Sequence, residues 1–153
     1  MNVKESRCFG YFPVSIPGTF HSRSGTWFIG IADPRPDHDE DLAVLRFDDR
    51  LPGARVAVAT SGTSVHRWAD GPWDRPRHHL LDPLTRQPAD TDVIQATVIA
   101  GTAREAEVLA KSALIAGSDA GFDLLDRSAA RGAVLLLTSG DVVALPRTME
   151  WLA

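Results

Sequence analysis

The sequence predicts an α+β fold, a mainly antiparallel sheet packed against two helices, and three observations predict it. Short apolar runs separated by proline, glycine and aspartate fill the chain up to about residue 100. A helix-length segment with a capping signal is followed at once by a second one. A final apolar run carries a Ser-Gly-Asp turn. Strands in series, then two helices, then a hairpin argue against a doubly wound parallel sheet.

Residues 1–25 mix aromatic, proline and small polar residues without a period of 2 or 3.6, which predicts an irregular N-terminal segment ahead of a domain over 26–153. Trp27-Phe28-Ile29-Gly30-Ile31-Ala32 reads as a strand closed by Asp33-Pro34-Arg35-Pro36. The acidic run from Asp37 to Asp41 reads as solvated surface. Leu42 to Phe47 and Ala54 to Thr60 read as an antiparallel pair, because the residues between them, Asp48-Asp49-Arg50-Leu51-Pro52-Gly53, have turn chemistry. From Ser61 to Pro88 periodicity gives way to Gly, Pro, Trp, His and Arg, the composition of a long functional loop.

Asp92 to Ala100 is the next strand. Thr102 with Glu105 three residues on is a capping box that starts a helix ending at Gly117. Ala103, Ala106, Ala110, Ala113 and Leu114 give that helix a narrow face suited to lying close against a sheet. Ser118 is expected to cap a second helix, from about Asp119 to Ala130, that turns Phe122, Leu124 and Leu125 inward and stops at Gly132. Ala133 to Leu137, Ser139-Gly140-Asp141 and Val142 to Leu145 complete a hairpin.

Composition bounds the function. The 153 residues are 44% hydrophobic and 24% charged, enough apolar content for one ordinary core without disulfides or a structural metal. Cys8 is the single cysteine, so no intramolecular disulfide forms and a reducing cytoplasm is expected. No apolar stretch has the ~20 residues of a membrane span, and charged and proline residues interrupt the first twenty positions as an export signal would not allow. Net charge is −4 with dispersed arginines, which excludes a nucleic-acid backbone as the expected partner. No glycine-rich P-loop or dinucleotide fingerprint is present, and one cysteine with no H-E-x-x-H spacing rules out the common zinc motifs.

Several groups remain as candidates for chemistry. In His78-His79-Leu80-Leu81-Asp82-Pro83 an imidazole precedes a carboxylate by three residues, and it suits a proton shuttle, a phosphate donor, a metal ligand or a plain hydrogen-bonding role. Adjacent histidines on extended chain face opposite ways, so one of them at most faces a site. Ala59-Thr60-Ser61-Gly62-Thr63 offers hydroxyls and backbone N–H groups to a phosphate or a flavin edge, and equally makes a turn. Glu107 and Lys111 stand at i and i+4, the order that forms a helix salt bridge, with projection into a charged site as the alternative. Trp68 and Trp73, in the long loop, suit stacking on a planar ligand better than Trp27 and Trp151.

Taken in order, Trp27-Phe28-Ile29-Gly30-Ile31-Ala32-Asp33-Pro34, Val58-Ala59-Thr60-Ser61-Gly62, His78-His79-Leu80-Leu81-Asp82-Pro83-Leu84-Thr85 and Ala106-Glu107-Val108-Leu109-Ala110-Lys111 resemble the C-terminal half of the FAD:protein FMN transferases, the ApbE family. Arg67-Trp68 and Asp90-Thr91-Asp92 resemble its actinobacterial branch. The resemblance implies an α+β fold and a magnesium-dependent reaction that moves FMN from FAD to a threonine of a target flavoprotein with release of AMP. It implies a catalytic role for His79, flavin or nucleotide contacts at Thr60, Ser61, Leu81 and Asp82, and a metal ligand at Glu107, the place of the family's aspartate. Lys111 takes the place of the family's metal-binding threonine, where its ammonium is expected to contribute its own positive charge beside the phosphates as a cofactor-binding residue, and Arg86 takes that of a glycine in the D-P-x-T-G turn. Family members are longer, with flavin contacts in an N-terminal half whose glycine-rich end is replaced here by Pro17-Gly18-Thr19. The resemblance therefore implies a truncated member or half-protein working with a complementary N-terminal half or as a homo-oligomer. A catalytically inactive flavin-binding or scaffold domain is the alternative.

Overall fold

Strand β6 (Val93–Ala100) is buried along nearly its whole length, and the other elements are arranged to cover it. The computed structural model describes residues 26–48, 56–64, 67–68 and 77–153; the irregular segment 1–25, the turn residues 49–53 and Trp73 fall outside them. In chain order the elements are β1 (Thr26–Ala32), β2 (Asp41–Asp48), β3 (Ala57–Gly62), β4 (Arg67–Trp68), β5 (Arg77–His78), β6, α1 (Ala103–Ala116), α2 (Ser118–Asp126), β7 (Gly132–Leu137) and β8 (Val142–Ala144), then a 3₁₀ helix, Pro146–Trp151. The main sheet has the order β3-β6-β7-β8 and is antiparallel throughout. β1 and β2 form a second antiparallel sheet, and β4 and β5 a third, very short one.

Alternation along β6 sends Ala96, Val98 and Ala100 to one face and Gln95, Thr97 and Ile99 to the other. On the first face Ala96 and Val98 join Leu80, Leu114, Leu125 and Leu135 in the largest buried cluster. Ala100 joins Ala57, Ala59 and Ala106, so α1 lies over β3 and β6 on a bed of small side chains. On the second face Ile99 and Val134 meet Ile31 and Leu45 of the β1–β2 sheet. Gln95 ties the two sheets together by donating from Nε2 to the Ala32 carbonyl at 3.0 Å. A bulge between Val93 and Gln95 returns Val93 to the helical face. Each fully buried leucine here, such as Leu45, Leu114 or Leu135, contributes roughly 2 kcal/mol by transfer from water, more than an exposed ion pair such as Arg127–Asp123 supplies.

The antiparallel, two-helix α+β class expected from sequence is the class observed. The expected pairing of the second and third strands is not: β2 pairs with β1, Ile29 opposite Leu45, while β3 pairs with β6, Ala59 opposite Val98. The turn chemistry between β2 and β3 is sequence-local. Pairing is decided by which face each strand can bury, and Leu45 belongs with Ile31 whereas Ala57 and Ala59 belong under α1.

Helix α1 starts as its capping signal predicts, with the Thr102 side chain accepting from Glu105 N–H at 3.2 Å, and it ends at Gly117, whose φ of 85° is left-handed. Helix α2 differs from expectation at both ends. Ser118 is its first residue and not its cap. The carboxylate of Asp92, at the start of β6, accepts from Ser118 N–H at 2.8 Å and from Ser118 Oγ at 2.5 Å, closing the helix N-terminus from another part of the chain. Helix α2 stops at Asp126, four residues short of Ala130, where Ser128 Oγ donates to the Leu125 carbonyl and Arg147 donates to the Leu125 and Asp126 carbonyls. Gly132, expected to stop α2, opens β7. The 3₁₀ helix has no counterpart in the sequence reading. Thr148 within it is fully buried, accepting from the Ala133 N–H at 2.8 Å and donating to the Ala133 carbonyl at 2.9 Å, and Trp151 stacks tilted against Phe47. No helix among the described residues is long and apolar enough to cross a membrane.

The hydrogen bonds from Ser118 hold the Asp92 carboxyl below its ordinary value of 3.8. A carboxyl depressed on folding stabilises the fold above its unfolded pKa and loses that contribution as pH falls through the folded value. Asp92→Ala is expected to cost about 1 kcal/mol at neutral pH, as the loss of an N-cap does. Thermal melts across the acid range should show the gap from the parent chain closing below pH 3.8.

Candidate functional site

The site is built at the end of the main sheet where β3 finishes and β6 begins. Residues 78–89 form a tight, backbone-bonded excursion. Ala89 N–H donates to the Leu80 carbonyl at 3.0 Å and Asp82 N–H to the Gln87 carbonyl at 2.9 Å, and Leu81 is bridged to Pro88. His78 fastens it. Its ring is buried, Leu80 N–H donates to Nδ1 at 3.3 Å, and Nε2 lies 3.1 Å from the Ala89 carbonyl. With Nδ1 accepting, the proton assigned by these partners is on Nε2, which donates to Ala89. Both ring nitrogens of His78 are thus spent on holding the segment. His79, next in the chain, is half-buried.

Beyond the histidines, Leu81 is 53% exposed, and the Asp82 carboxylate accepts from Leu84 N–H at 2.8 Å, an Asx turn. Asp82 therefore shapes the turn with its side chain. Arg86 N–H donates back to the Asp82 carbonyl at 2.8 Å, and Arg86 adopts φ 59°, in the left-handed region. The turn that a glycine would make without strain is made here by arginine.

Leu80 anchors this segment under α1, in the buried cluster that also holds Ala96, Ala110, Ala113 and Leu114. Thr91 adds a hydrogen bond from Oγ1 to the Leu114 carbonyl at 2.7 Å. Ser61 is the β3 partner of Ala96 and is itself buried on the helical face. Thr60 points to the opposite face, its Oγ1 2.9 Å from Thr97 Oγ1, so the two neighbouring hydroxyls cannot serve the same ligand through their side chains. Glu107 and Lys111 stand half-buried on α1, with Lys111 Nζ 2.5 Å from Glu107 Oε1. Leu80 of the 79–82 segment, Ala96 opposite Ser61, and Ala110 between Glu107 and Lys111 in the chain belong to one buried cluster, while Thr60 faces the other side of the sheet. Of the tryptophans, Trp68 in β4 and Trp27 in β1 are exposed, and Trp151 is committed to Phe47.

Beside this segment a cavity of about 320 Å³ is lined by Arg35, Thr63, Arg67, His78, Asp90 and Thr138, among others. Arg35 is held by Asp33 through bonds from Nη2 at 2.5 Å, Nε at 2.9 Å and the backbone N–H at 2.9 Å. The guanidinium keeps the Asp33 carboxyl, only 4% exposed, below its ordinary value, and His38 lies 3.4 Å away. Sequence reading treated Asp33-Pro34-Arg35-Pro36 as a turn alone. The i, i+2 pairing of aspartate with arginine was its only signal, and such a signal is common in loops.

The donor set at Glu107 does not fit a magnesium ion. That ion takes near-octahedral oxygen coordination. Here the one carboxylate already accepts from an ammonium group, lysine has no lone pair to give, and no group of three His, Cys, Asp or Glu suited to a metal occurs among the described residues.

Comparison with known proteins bears on the fold and the family. The sequence model of the ApbE family matches residues 13–136. The FAD:protein FMN transferase of Treponema pallidum (strain Nichols) is 30% identical over 99 residues, 65% of this chain and 25% of that protein. The crystal structure of the ApbE protein from Thermotoga maritima superposes with a TM-score of 0.68 at 26% identity, over 84% of this chain and 38% of that one. The flavin transferase ApbE from Vibrio cholerae, at 22% identity and a TM-score of 0.61, shares the fold over 82% of this chain and 38% of its own. The chain spans between a quarter and two fifths of the length of these relatives.

Relief of the strained turn gives a direct test of its geometry. Arg86→Gly removes a left-handed non-glycine residue whose cost is about 1–2 kcal/mol, against a smaller loss from glycine's freedom in the unfolded chain. A net gain of roughly 0.5–1 kcal/mol in unfolding free energy, read from the shift in denaturant midpoint at unchanged slope, is expected.

Proposed function

This chain belongs to the ApbE family, and on that premise we propose that it forms the C-terminal part of an FAD:protein FMN transferase site. What supports the reading is that Leu80 of the 79–82 segment, Ala96, the strand partner of Ser61, and Ala110, next to Lys111 on α1, share one buried cluster. In the proposed reaction FAD is the substrate, and a threonine hydroxyl of a target flavoprotein attacks the phosphorus of its FMN half. A new O–P bond forms, the bridging O–P bond of the diphosphate breaks, and AMP leaves with the bridging oxygen. The hydroxyl proton needs an acceptor, and His79 is the candidate, because its neighbour His78 has both nitrogens engaged in structure. The N–H and C=O of Leu81 are offered to the flavin edge, the backbone groups of Leu80 and Asp82 being engaged within the segment, and the end of β3 at Ser61 borders the nucleotide. The magnesium dependence that the resemblance implies finds no fitting donor set at Glu107, so no step is assigned to a metal here.

The site is proposed to be completed by the part of the ApbE fold that this chain does not match, from a complementary chain or a second copy. A second reading, an FAD-binding or scaffold domain without transfer activity, is favoured by the closed Glu107–Lys111 pair. One assay separates the two. The chain is incubated with FAD, an acceptor flavoprotein and the complementary ApbE region, and covalent flavin fluorescence and AMP release are followed together. Transfer with stoichiometric AMP, reduced roughly 10²–10⁴-fold by His79→Ala while FAD binding persists, is the expected result. FAD binding without AMP would leave the scaffold reading standing instead.

A further inference from the structure

The row Ala103, Glu107, Lys111 runs along one flank of α1 at i, i+4, i+8, and the packing shows which flank. Ala103 and Ala106 lie with Ala57 and Ala59 of β3, whereas Arg104, Glu105, Val108 and Leu109 line a shallow groove with Ala129 on the other side. α1 runs back along β6 and so travels in the direction of β3, since Ala106 sits at Ala100 and Ala110 and Ala113 sit with Ala96 and Val98. Eight residues of helix advance about 12 Å, and four residues of strand from Ala57 to Ser61 about 13 Å. Measured along the helix axis, Lys111 is therefore level with Ser61 near the end of β3, and its neighbour Ala110 shares a buried cluster with Leu80.

What stands at that place is a cation that belongs to the chain. Lys111 Nζ has three N–H donors, of which Glu107 Oε1 takes one at 2.5 Å, and the side chain is 42% exposed. Glu107 restrains the ammonium without enclosing it and leaves donors for phosphate oxygens. A carboxylate closed by a lysine, with no lone-pair donor at the next turn, is a poor divalent-metal site and a serviceable anchor for a diphosphate. We infer that Lys111 supplies, in this chain, the positive charge that neutralises the diphosphate of a flavin dinucleotide, so that binding is independent of a divalent cation. The inference rests on the FAD-binding reading above and assigns the way in which that same site meets the phosphates.

The test is FAD binding, followed by quenching of flavin fluorescence, in EDTA and in magnesium chloride. It uses the full chain, together with the complementary ApbE region where transfer requires it. The parent is expected to bind equally in both buffers, with affinity falling as salt rises, because a half-exposed ammonium is screened. Lys111→Gln should weaken binding in EDTA about tenfold or more, the worth of a charge-assisted hydrogen bond, while Lys111→Arg retains most of it. Lys111→Thr, which frees Glu107 and adds a hydroxyl, should bind weakly in EDTA and recover with magnesium. Matched circular dichroism melts show that the variants keep the fold. A parent that binds FAD only with magnesium, or a Lys111→Gln variant that binds as the parent does, overturns the inference and leaves the FAD-binding reading intact. A parent that binds FAD in neither buffer overturns both.

Discussion

Burial of β6 on both faces is the constraint from which the rest of the structure follows. A strand that shows Ala96, Val98 and Ala100 to one side and Gln95, Thr97 and Ile99 to the other needs two covers, and the two are different in kind. On the small-residue side an alanine-faced helix can approach closely. On the other, Ile99 and Val134 need bulk, which Ile31 and Leu45 supply from a separate two-stranded sheet. Because α1 must lie flat on β3 and β6, the flank that carries Glu107 and Lys111 is brought beside the end of β3. Because Leu80 is drawn into the same cluster, the segment after the histidines ends there too.

Much of this was written locally in the sequence. The Thr102 and Glu105 capping signal, the alanine face of α1, the stop at Gly117 and the Ser139-Gly140-Asp141 hairpin all express interactions between near neighbours, and they can be read from spacing. What escaped reading is non-local. The cap of α2 comes from Asp92, 26 residues earlier in the chain, and no pattern within α2 announces it. The partner of β2 is β1 and not the next strand, since pairing answers to shared burial and not to the turn between them. The C-terminal 3₁₀ helix depends on Thr148 meeting Ala133 and Arg147 meeting the end of α2, contacts that exist only once the core has formed.

The candidate site divides in the same way. The motif His78-His79-Leu80-Leu81-Asp82-Pro83 could be found in sequence, but not the division of labour within it. His78 and Asp82 are committed to holding the segment and Leu80 to anchoring it, while the Leu81 side chain stands exposed. Thr60 and Ser61 look equivalent as letters and are separated by the sheet. Arg86 holds a left-handed turn that glycine would make with less strain, and nothing in the residue's own preference announces it. Glu107 and Lys111 form the salt bridge their spacing predicts.

The central claim is that one end of the β3–β6 sheet, with the 79–82 segment and the Lys111 flank of α1, is a single binding surface for FAD. Amide chemical-shift mapping on the isotope-labelled protein during titration with FAD tests it most directly. The account predicts that the largest shifts fall together on Ser61, Gly62, His79, Leu81 and the residues flanking Lys111, with Thr148 and the outer groove at Val108 unmoved. Saturable shifts centred on that groove or on the 3₁₀ helix, with Ser61 and His79 unaffected, would contradict it.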